Sequence, residues 1–291
     1  MKLAIIVNPI SGRSRGFKSI QRYVRQWPHS QWEVQVFPTQ SNRRAGALAR
    51  EMLKHPPDLL AVCGGDGTIN EVACQIPRPP FPVAVLPAGT ANVVARELGL
   101  PLDPIQALQV ALNRKTRKVD LGELRGGSER RFLFVAGIGL DAYVVSNVKP
   151  KLKKKLGKAA FMIEAVRSLC SYTFPEFRII AGDRIYSGTS CLVCNAKSYG
   201  GGMLFCPDAD MTDGILDAMI LQGKRRVELA RFLLLAWCGK AVTLSWVHRI
   251  QAKALKIDRN SEVMVQTDGE IAGQLPLDIS VADLAFPLVI P

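Results

Sequence analysis

The run Cys63-Gly64-Gly65-Asp66-Gly67-Thr68-Ile69-Asn70-Glu71 sets one carboxylate on a turn of three glycines. It follows the apolar stretch Leu59-Leu60-Ala61-Val62 and leads into a segment of helical character. Glycine reaches positive φ cheaply and admits a ligand close to the main chain. The N-terminus of the following helix offers unpaired N–H groups and the positive end of its dipole to an anion. Together these make a phosphate cradle, with Asp66 as a handle for a metal ion or a hydroxyl. A simple capped turn between strand and helix has no need of the order Gly-Gly-Asp-Gly-Thr.

Phosphoryl transfer needs a cradle, a divalent cation and a base for the attacking hydroxyl, and other loops offer candidates for each. Asn8, Pro9, Ile10, Ser11 and Gly12 follow one apolar run, and Pro87-Ala88-Gly89-Thr90-Ala91-Asn92 follows another. The backbone of residues 8–12, that of Gly64, Gly65, Asp66, Gly67, Thr68, Ile69 and Asn70, and Thr90 are the cradle candidates. Gly12-Arg-Ser-Arg-Gly16-Phe-Lys18 is not a Walker A loop, because the spacing and the Gly-Lys pair are absent. Its Arg13, Arg15 and Lys18 suit either phosphates or a solvated basic face. Asp268-Gly269-Glu270 puts two carboxylates on a turn. Asp-Gly is also a common hairpin turn, and a carboxylate there serves as a base if desolvation or a neighbouring acid raises its pKa. The acidic loop from Asp208 through Asp210, Asp213 and Gly214 to Asp217 has the oxygen donors that hard cations prefer, without the spacing or terminal Glu of an EF-hand.

The elements that must position these loops alternate over the first 120 or so residues. Leu3–Val7, Trp32–Phe37, Leu59–Cys63 and Val83–Leu86 read as strands. Gly16–Gln26, Arg43–Lys54, Ile69–Gln75, Ala91–Leu98 and Pro104–Asn113 read as helices. Such alternation predicts an α/β domain with a mostly parallel sheet. Ligands of such sheets bind beyond the carboxyl ends of the strands, where all three glycine-containing loops lie. From about Val119 short strand-like runs dominate, with helical stretches at Lys158–Ser171 and Val227–Val242. They predict a β-rich, sandwich-like second domain. The boundaries are set at residues 1–121 and 122–291, with the last strand free to return to the first domain.

Composition narrows the class. The 291 residues are 48% hydrophobic and 22% charged, as in a globular protein, and carry a formal net charge of +13. That excess favours an anionic partner, such as an acidic membrane surface. The densest basic run, Lys149–Lys158, with Leu152 and Leu156, suits membrane contact or a solvated loop. Nucleic acid is disfavoured, since no aromatic residues interleave with the lysines. Seven cysteines, mostly in apolar runs, suit buried thiols in a reducing cytosol. Cys191 and Cys194 are expected on opposite faces of a strand, not as a metal pair. The N-terminal apolar run is too short for a signal peptide, and Phe232–Trp246 is too short to span a bilayer. The expected location is cytoplasmic, peripheral at the inner face of the membrane.

Gly-Gly-Asp-Gly-Thr resembles the signature shared by diacylglycerol-type lipid kinases, NAD kinases and phosphofructokinases. Taken with Asn8–Gly12, Pro87–Asn92 and Asp268–Glu270, in order over essentially the whole chain, it resembles the soluble bacterial lipid kinase family (diacylglycerol kinase catalytic domain), whose relatives are sphingosine and ceramide kinases. The resemblance implies a phospholipid-pathway enzyme that uses ATP and Mg²⁺ to phosphorylate a lipid hydroxyl, with the nucleotide between two lobes. It implies Glu270 as proton acceptor, Asp66 and Asp268 in the catalytic network, and Thr39 as a further nucleotide contact. It also implies a structural Mg²⁺ on Asp213, with positions Asp210 and Ile215 as the accompanying contacts. A homodimer is left open.

Two features depart from this. Many members follow Gly-Thr-x-Asn with Asp, whereas this chain has Val93. In addition, Phe132–Ala142 contains Gly137-x-Gly139-x-x-Ala142, close to a Rossmann fingerprint. Lys149-Pro150 should break its helix early, and the resembled kinases carry a similar run, so it is read as a junction loop. The alternatives are an NAD kinase, which shares the glycine signature, and a non-catalytic nucleotide or lipid sensor, for which Val93 argues. The identity of the lipid is not legible.

Overall fold

Buried apolar runs set the strands of the N-terminal part. In the computed structural model, β1 (Lys2–Val7), β2 (Glu33–Pro38), β3 (Leu59–Gly64) and β4 (Val83–Pro87) pair in parallel in the order β2-β1-β3-β4. β3 and β4 are buried at every residue, as strands covered on both faces must be, whereas β2 at the edge alternates. The helices are α1 (Arg15–Arg25), α2 (Ala45–Met52), α3 (Asp66–Gln75), α4 (Val93–Glu97) and α5 (Pro104–Ala111). Asp103 caps α5, accepting the N–H groups of Ile105 and Gln106 at 3.0 and 2.9 Å. Such a cap stabilises a helix by about 1 kcal/mol. The structure describes residues 1–28, 30–126, 129–149, 158–199, 203–237, 244–258 and 262–291; side chains at 13–15, 158, 236 and 237 are left aside.

The chain forms two compact units, Met1–Val119 with Asp283–Pro291, and Asp120–Ala282. β5 (Thr116–Arg125) leads into the second unit, which continues with β6 (Arg130–Phe132), β7 (Val135–Ile138), α6 (Leu140–Asn147) and α7 (Lys158–Ser171). Then come β8 (Phe177–Ala181), β9 (Arg184–Gly188), β10 (Ser190–Cys194), β11 (Ser198–Tyr199), β12 (Met203–Leu204) and β13 (Leu216–Leu221). α8 (Arg226–Trp237), β14 (Val247–Ala252), β15 (Ala254–Asp258), β16 (Met264–Thr267) and β17 (Glu270–Gln274) follow. β18 (Leu277–Val289) pairs with β15 at its start, while near its end Leu288 pairs in parallel with Val83 of the first unit.

The centre of the second unit is an antiparallel sheet, β14-β13-β10-β7-β16-β17. Cys191 and Val193 of β10 join a core with Phe177, Ile179, Leu255 and Ile279 of other strands. Leu192 and Cys194 face the other way, into a core with Leu140, Ala165, Leu229 and Phe232 from the three helices. One face of this sheet therefore packs on strands and the other on helices. The two cysteines sit on opposite faces, and both are free and buried. Burial raises the Cys191 thiol well above its ordinary range, which leaves it unreactive.

The second half differs from the sequence reading in several places. Phe132–Val135 was expected to be one strand, but β6 ends at Phe132 and β7 begins at Val135. The N–H groups of Leu133, Phe134 and Val135 go to the Asp268 carboxylate. The fingerprint-like run, expected to be a junction loop, opens helix α6, which stops at Asn147 as the following Lys149-Pro150 demands. The two expected strands near the C-terminus, Leu277–Ser280 and Leu284–Val289, are parts of the single strand β18. Most of the basic run Lys149–Lys158 lies outside the described residues. Among the described residues, no helix is long and apolar enough to cross a membrane.

Candidate active site

In the first unit the three glycine-containing loops sit at the carboxyl ends of adjacent strands, and side chains and close backbone contacts lace them together. Asn8, after β1, donates from Nδ2 to Thr68 Oγ1 at 3.0 Å and accepts the Ile10 N–H on Oδ1 at 3.2 Å. It thereby shapes its own turn and ties it to the first turn of α3. Asp66 Oδ1 accepts the Val93 N–H at 2.7 Å and so caps α4 from the neighbouring loop. Asn92, in the left-handed region at φ 49°, closes the third loop through Gly89, accepting its N–H at 2.8 Å and donating to its carbonyl at 3.2 Å. Ala88 donates its N–H to the Gly64 carbonyl at 2.9 Å.

Glycine is required where these loops touch. A Cβ at Gly12 would lie 2.2 Å from the Ala88 carbonyl oxygen, and one at Gly89 would lie 2.6 Å from Gly65 Cα. Gly67, by contrast, faces open space, at the first turn of a ten-residue helix. It stands among the N–H groups of a helix start, which suits a phosphate. Thr90, next to Gly89 in sequence, is exposed, and Thr39 donates its N–H to the Val7 carbonyl at 2.8 Å, beyond the end of β2. Val93 contributes only its backbone N–H; its side chain is buried. We expect Gly89→Val to force the second and third loops apart and to weaken ATP binding at least tenfold, with the sheet intact. Equilibrium dialysis with labelled ATP, with circular dichroism as the fold control, checks this.

In the second unit Asp268 lies on the two-residue turn between β16 and β17, and Glu270 is the first residue of β17. Asp268 and Gly269 have φ of 50° and 87°, the positive values a primed hairpin turn requires. The two carboxylates do different work. Asp268 accepts the N–H groups of Leu133, Phe134 and Val135 at 2.7, 3.1 and 2.8 Å, and its own N–H goes to the Val135 carbonyl at 3.0 Å. Glu270 is exposed, and the Arg130 guanidinium lies 3.8 Å from its carboxylate. Beneath the turn, Gln266 accepts the Gly269 N–H at 2.7 Å and donates to Asp141 Oδ2 at 2.5 Å. Burial pushes the Asp141 carboxyl up to about 6, opposed by the bond from Gln266. Burial, with the Asp141 and Asp268 charges, raises Tyr199 well above its usual value and keeps it a neutral phenol.

The acidic loop is ordered by its own carboxylates. Asp210 Oδ1 accepts the backbone N–H and the hydroxyl of Thr212, and Asp213 Oδ1 accepts the Ile215 N–H at 2.9 Å. Asp120 of β5 reaches in to accept the Gly214 N–H at 2.7 Å, and burial and the charges of Asp213 and Asp210 raise its pKa. Among the described residues, no three His, Cys, Asp or Glu side chains group as a metal site. Mg²⁺ asks less than that, since it keeps several waters and takes one or two carboxylates. The Asp213 and Asp120 carboxylates with nearby main-chain carbonyls are a donor set of that kind.

Asn92, Asp120, Asp141 and Gln266 were not among the residues the sequence singled out. Asn92 and Asp141 lay inside quoted motifs, while Asp120 sat between Val119 and Leu121 and Gln266 at the end of an expected strand, each with a partner far off in sequence.

Residues 2–124 match the diacylglycerol kinase catalytic domain, and residues 135–290 match the YegS C-terminal NAD kinase beta sandwich-like domain. A diacylglycerol kinase of Bacillus subtilis (strain 168) is 30% identical over 279 residues, covering 94% of this chain and 90% of its own. The chain belongs to the diacylglycerol kinase family of soluble bacterial lipid kinases. As a member of this family it is an ATP-using lipid kinase. Solved structures agree on the fold. A Bacillus anthracis str. Sterne protein described as a diacylglycerol kinase superimposes with a TM-score of 0.79 at 24% identity, covering all of this chain and 95% of its own. An Archaeoglobus fulgidus NAD kinase in complex with ATP superimposes with a TM-score of 0.57 at 13% identity, covering 99% and 93%. The α/β unit followed by a β-rich unit is thus the architecture of this kinase family, shared with NAD kinases.

Proposed function

We propose that this kinase transfers the γ-phosphate of ATP to the free hydroxyl of diacylglycerol or a closely related lipid alcohol, at an anionic membrane surface. The observation that carries the reading is the laced cradle of Asn8–Gly12, Gly64–Asn70 and Gly89–Asn92, within a chain whose relatives are diacylglycerol kinases over nearly their full length. The backbone of these loops, with Thr90 and Thr39, would hold the nucleotide phosphates. Glu270 takes the proton of the lipid hydroxyl as its oxygen bonds to the γ-phosphorus, and the bond to the bridging oxygen breaks to leave ADP. Such a base contributes about 10²- to 10⁴-fold. Asp66 holds the second and third loops in register through Val93, and Asp268 fixes the turn on which Glu270 stands.

Mg²⁺ would neutralise charge on the phosphates when bound, and Asp66 is the carboxylate of the cradle that would meet it. A second, structural Mg²⁺ is proposed at Asp213, with Asp210 and Ile215 beside it. The net charge of +13 supports the membrane surface, because anionic head groups attract clustered cations.

The test is transfer of label from γ-labelled ATP with Mg²⁺ into vesicles of phosphatidylglycerol containing diacylglycerol, a sphingoid base or neither, with NAD in a parallel reaction. Label in phosphatidic acid supports the reading. Label in NADP, or in no product at all, overturns it.

A further inference from the structure

Asp141, Gln266 and Tyr199 come from α6, β16 and β11, and nothing in the reaction as described above requires them. They nevertheless meet under the turn that carries Glu270. Gln266 is fully buried, and its amide spans the gap, with Nε2 on Asp141 Oδ2 at 2.5 Å and Oε1 accepting the Gly269 N–H at 2.7 Å. A primary amide can bond either way round, so its orientation has to be set by a partner of fixed polarity. Both partners have fixed polarity: the Gly269 N–H only donates and an ionised carboxylate only accepts, so Oε1 faces Gly269 and Nε2 faces Asp141.

The backbone is shaped to allow this contact. A Cβ at Gly137 would lie 2.1 Å from Asp141 Oδ2 and 2.7 Å from Gln266 Nε2, so any other residue there would push the pair apart. The Tyr199 hydroxyl lies close by: a Cβ at Gly269 would lie 3.8 Å from its oxygen. The titratable groups that bear on this network are Asp141, Tyr199, Asp268 and Cys194.

We propose that Asp141 is a positioning residue for turnover: by fixing the Gln266 amide it holds the Gly269 N–H, and with it the turn that presents Glu270. This rests on Glu270 being the base. Asp268 holds the turn from one side, through backbone of β7 and the residues before it, and Gln266 holds it from the other. A carboxylate misplaced by as little as 1 Å can lose about 10²-fold in rate, so a second tether has a direct catalytic consequence.

The experiment uses the full-length enzyme labelled with ¹⁵N-glycine, the Gly269 signal being assigned by its loss in Gly269→Ala. Hydrogen exchange at Gly269 is followed together with kcat and the KM for ATP. Gln266→Leu, Asp141→Leu and Gly137→Ala are each expected to speed Gly269 exchange at least tenfold and to lower kcat about tenfold or more, with the ATP KM within about twofold. Asp141→Asn keeps an oxygen that can accept from Nε2, and is expected to hold exchange within about threefold of the unsubstituted enzyme. Slow Gly269 exchange in both Gln266→Leu and Asp141→Leu would overturn the proposal, and so would fast exchange with full turnover in an enzyme that Glu270→Gln inactivates. If Glu270→Gln itself leaves kcat intact, the assignment of the base fails and the positioning proposal fails with it. Even so, exchange at Gly269 would still report separately whether Asp141 holds the turn.

Discussion

Glu270→Gln is expected to lower kcat for lipid phosphorylation by about 10²- to 10⁴-fold while leaving ATP affinity within about twofold. The substitution keeps the size of the side chain and removes only its ability to accept a proton. Glu270 is exposed, and its ion pair with Arg130, at 3.8 Å, is long and screened by solvent. Pairs of that kind contribute little to folding, so the variant should melt like the parent. The expected signature is therefore a loss of kcat alone. Stopped-time assays with labelled ATP and mixed vesicles, with calorimetry for ATP binding, check both halves. Turnover within threefold of the parent would remove Glu270 from the reaction.

Asp268→Ala, two residues away, should behave in the opposite sense. It removes the acceptor of three backbone N–H groups, at Leu133, Phe134 and Val135. Leu133 and Val135 are fully buried and Phe134 nearly so, so water cannot easily replace the carboxylate. Each orphaned donor costs about 1–3 kcal/mol, which puts the loss at about 3 kcal/mol or more for the second unit. At the size of this unit that is a fall in melting temperature of roughly 6–12 °C. Activity should drop as well, because the turn loses its anchor, but the drop should be partly recovered on cooling. Differential scanning calorimetry of parent and variant checks the prediction, and equal melting temperatures would refute it.

The contrast between these two neighbours shows what the sequence could and could not say. The parallel sheet was legible because its strands are unbroken apolar runs that end in glycine turns, a local signal that the ridge of Leu59–Cys63 and the turn after it carry by themselves. The cradle was legible for the same reason. The separate roles of Asp268 and Glu270 were not, because Asp-Gly-Glu has one local appearance whether its carboxylates face solvent or buried N–H groups. What decides the matter for Asp268 is a stretch more than 130 residues earlier in the chain. Gln266 and Asp141, 125 residues apart, were hidden for a similar reason. A lone polar residue in an apolar run becomes informative only when its distant partner is known. The strand β14 escaped notice because His248, Arg249 and Gln251 mask the alternation of an edge strand.

The division of the chain bears on how it is made. The first unit takes Met1–Val119 and then Asp283–Pro291, so the segment that seats Leu288 beside Val83 is synthesised after all of Asp120–Ala282. At 5–20 residues per second, the ribosome needs roughly 10–30 s to pass from the glycine cradle's unit to its closing strand. Throughout that interval β4 presents an unpaired edge of buried, β-prone residues, the kind of surface that nascent chains aggregate through. The second unit, contiguous in sequence, can fold first. The unit that carries the glycine loops, though most of it precedes Asp120–Ala282, is the one finished last.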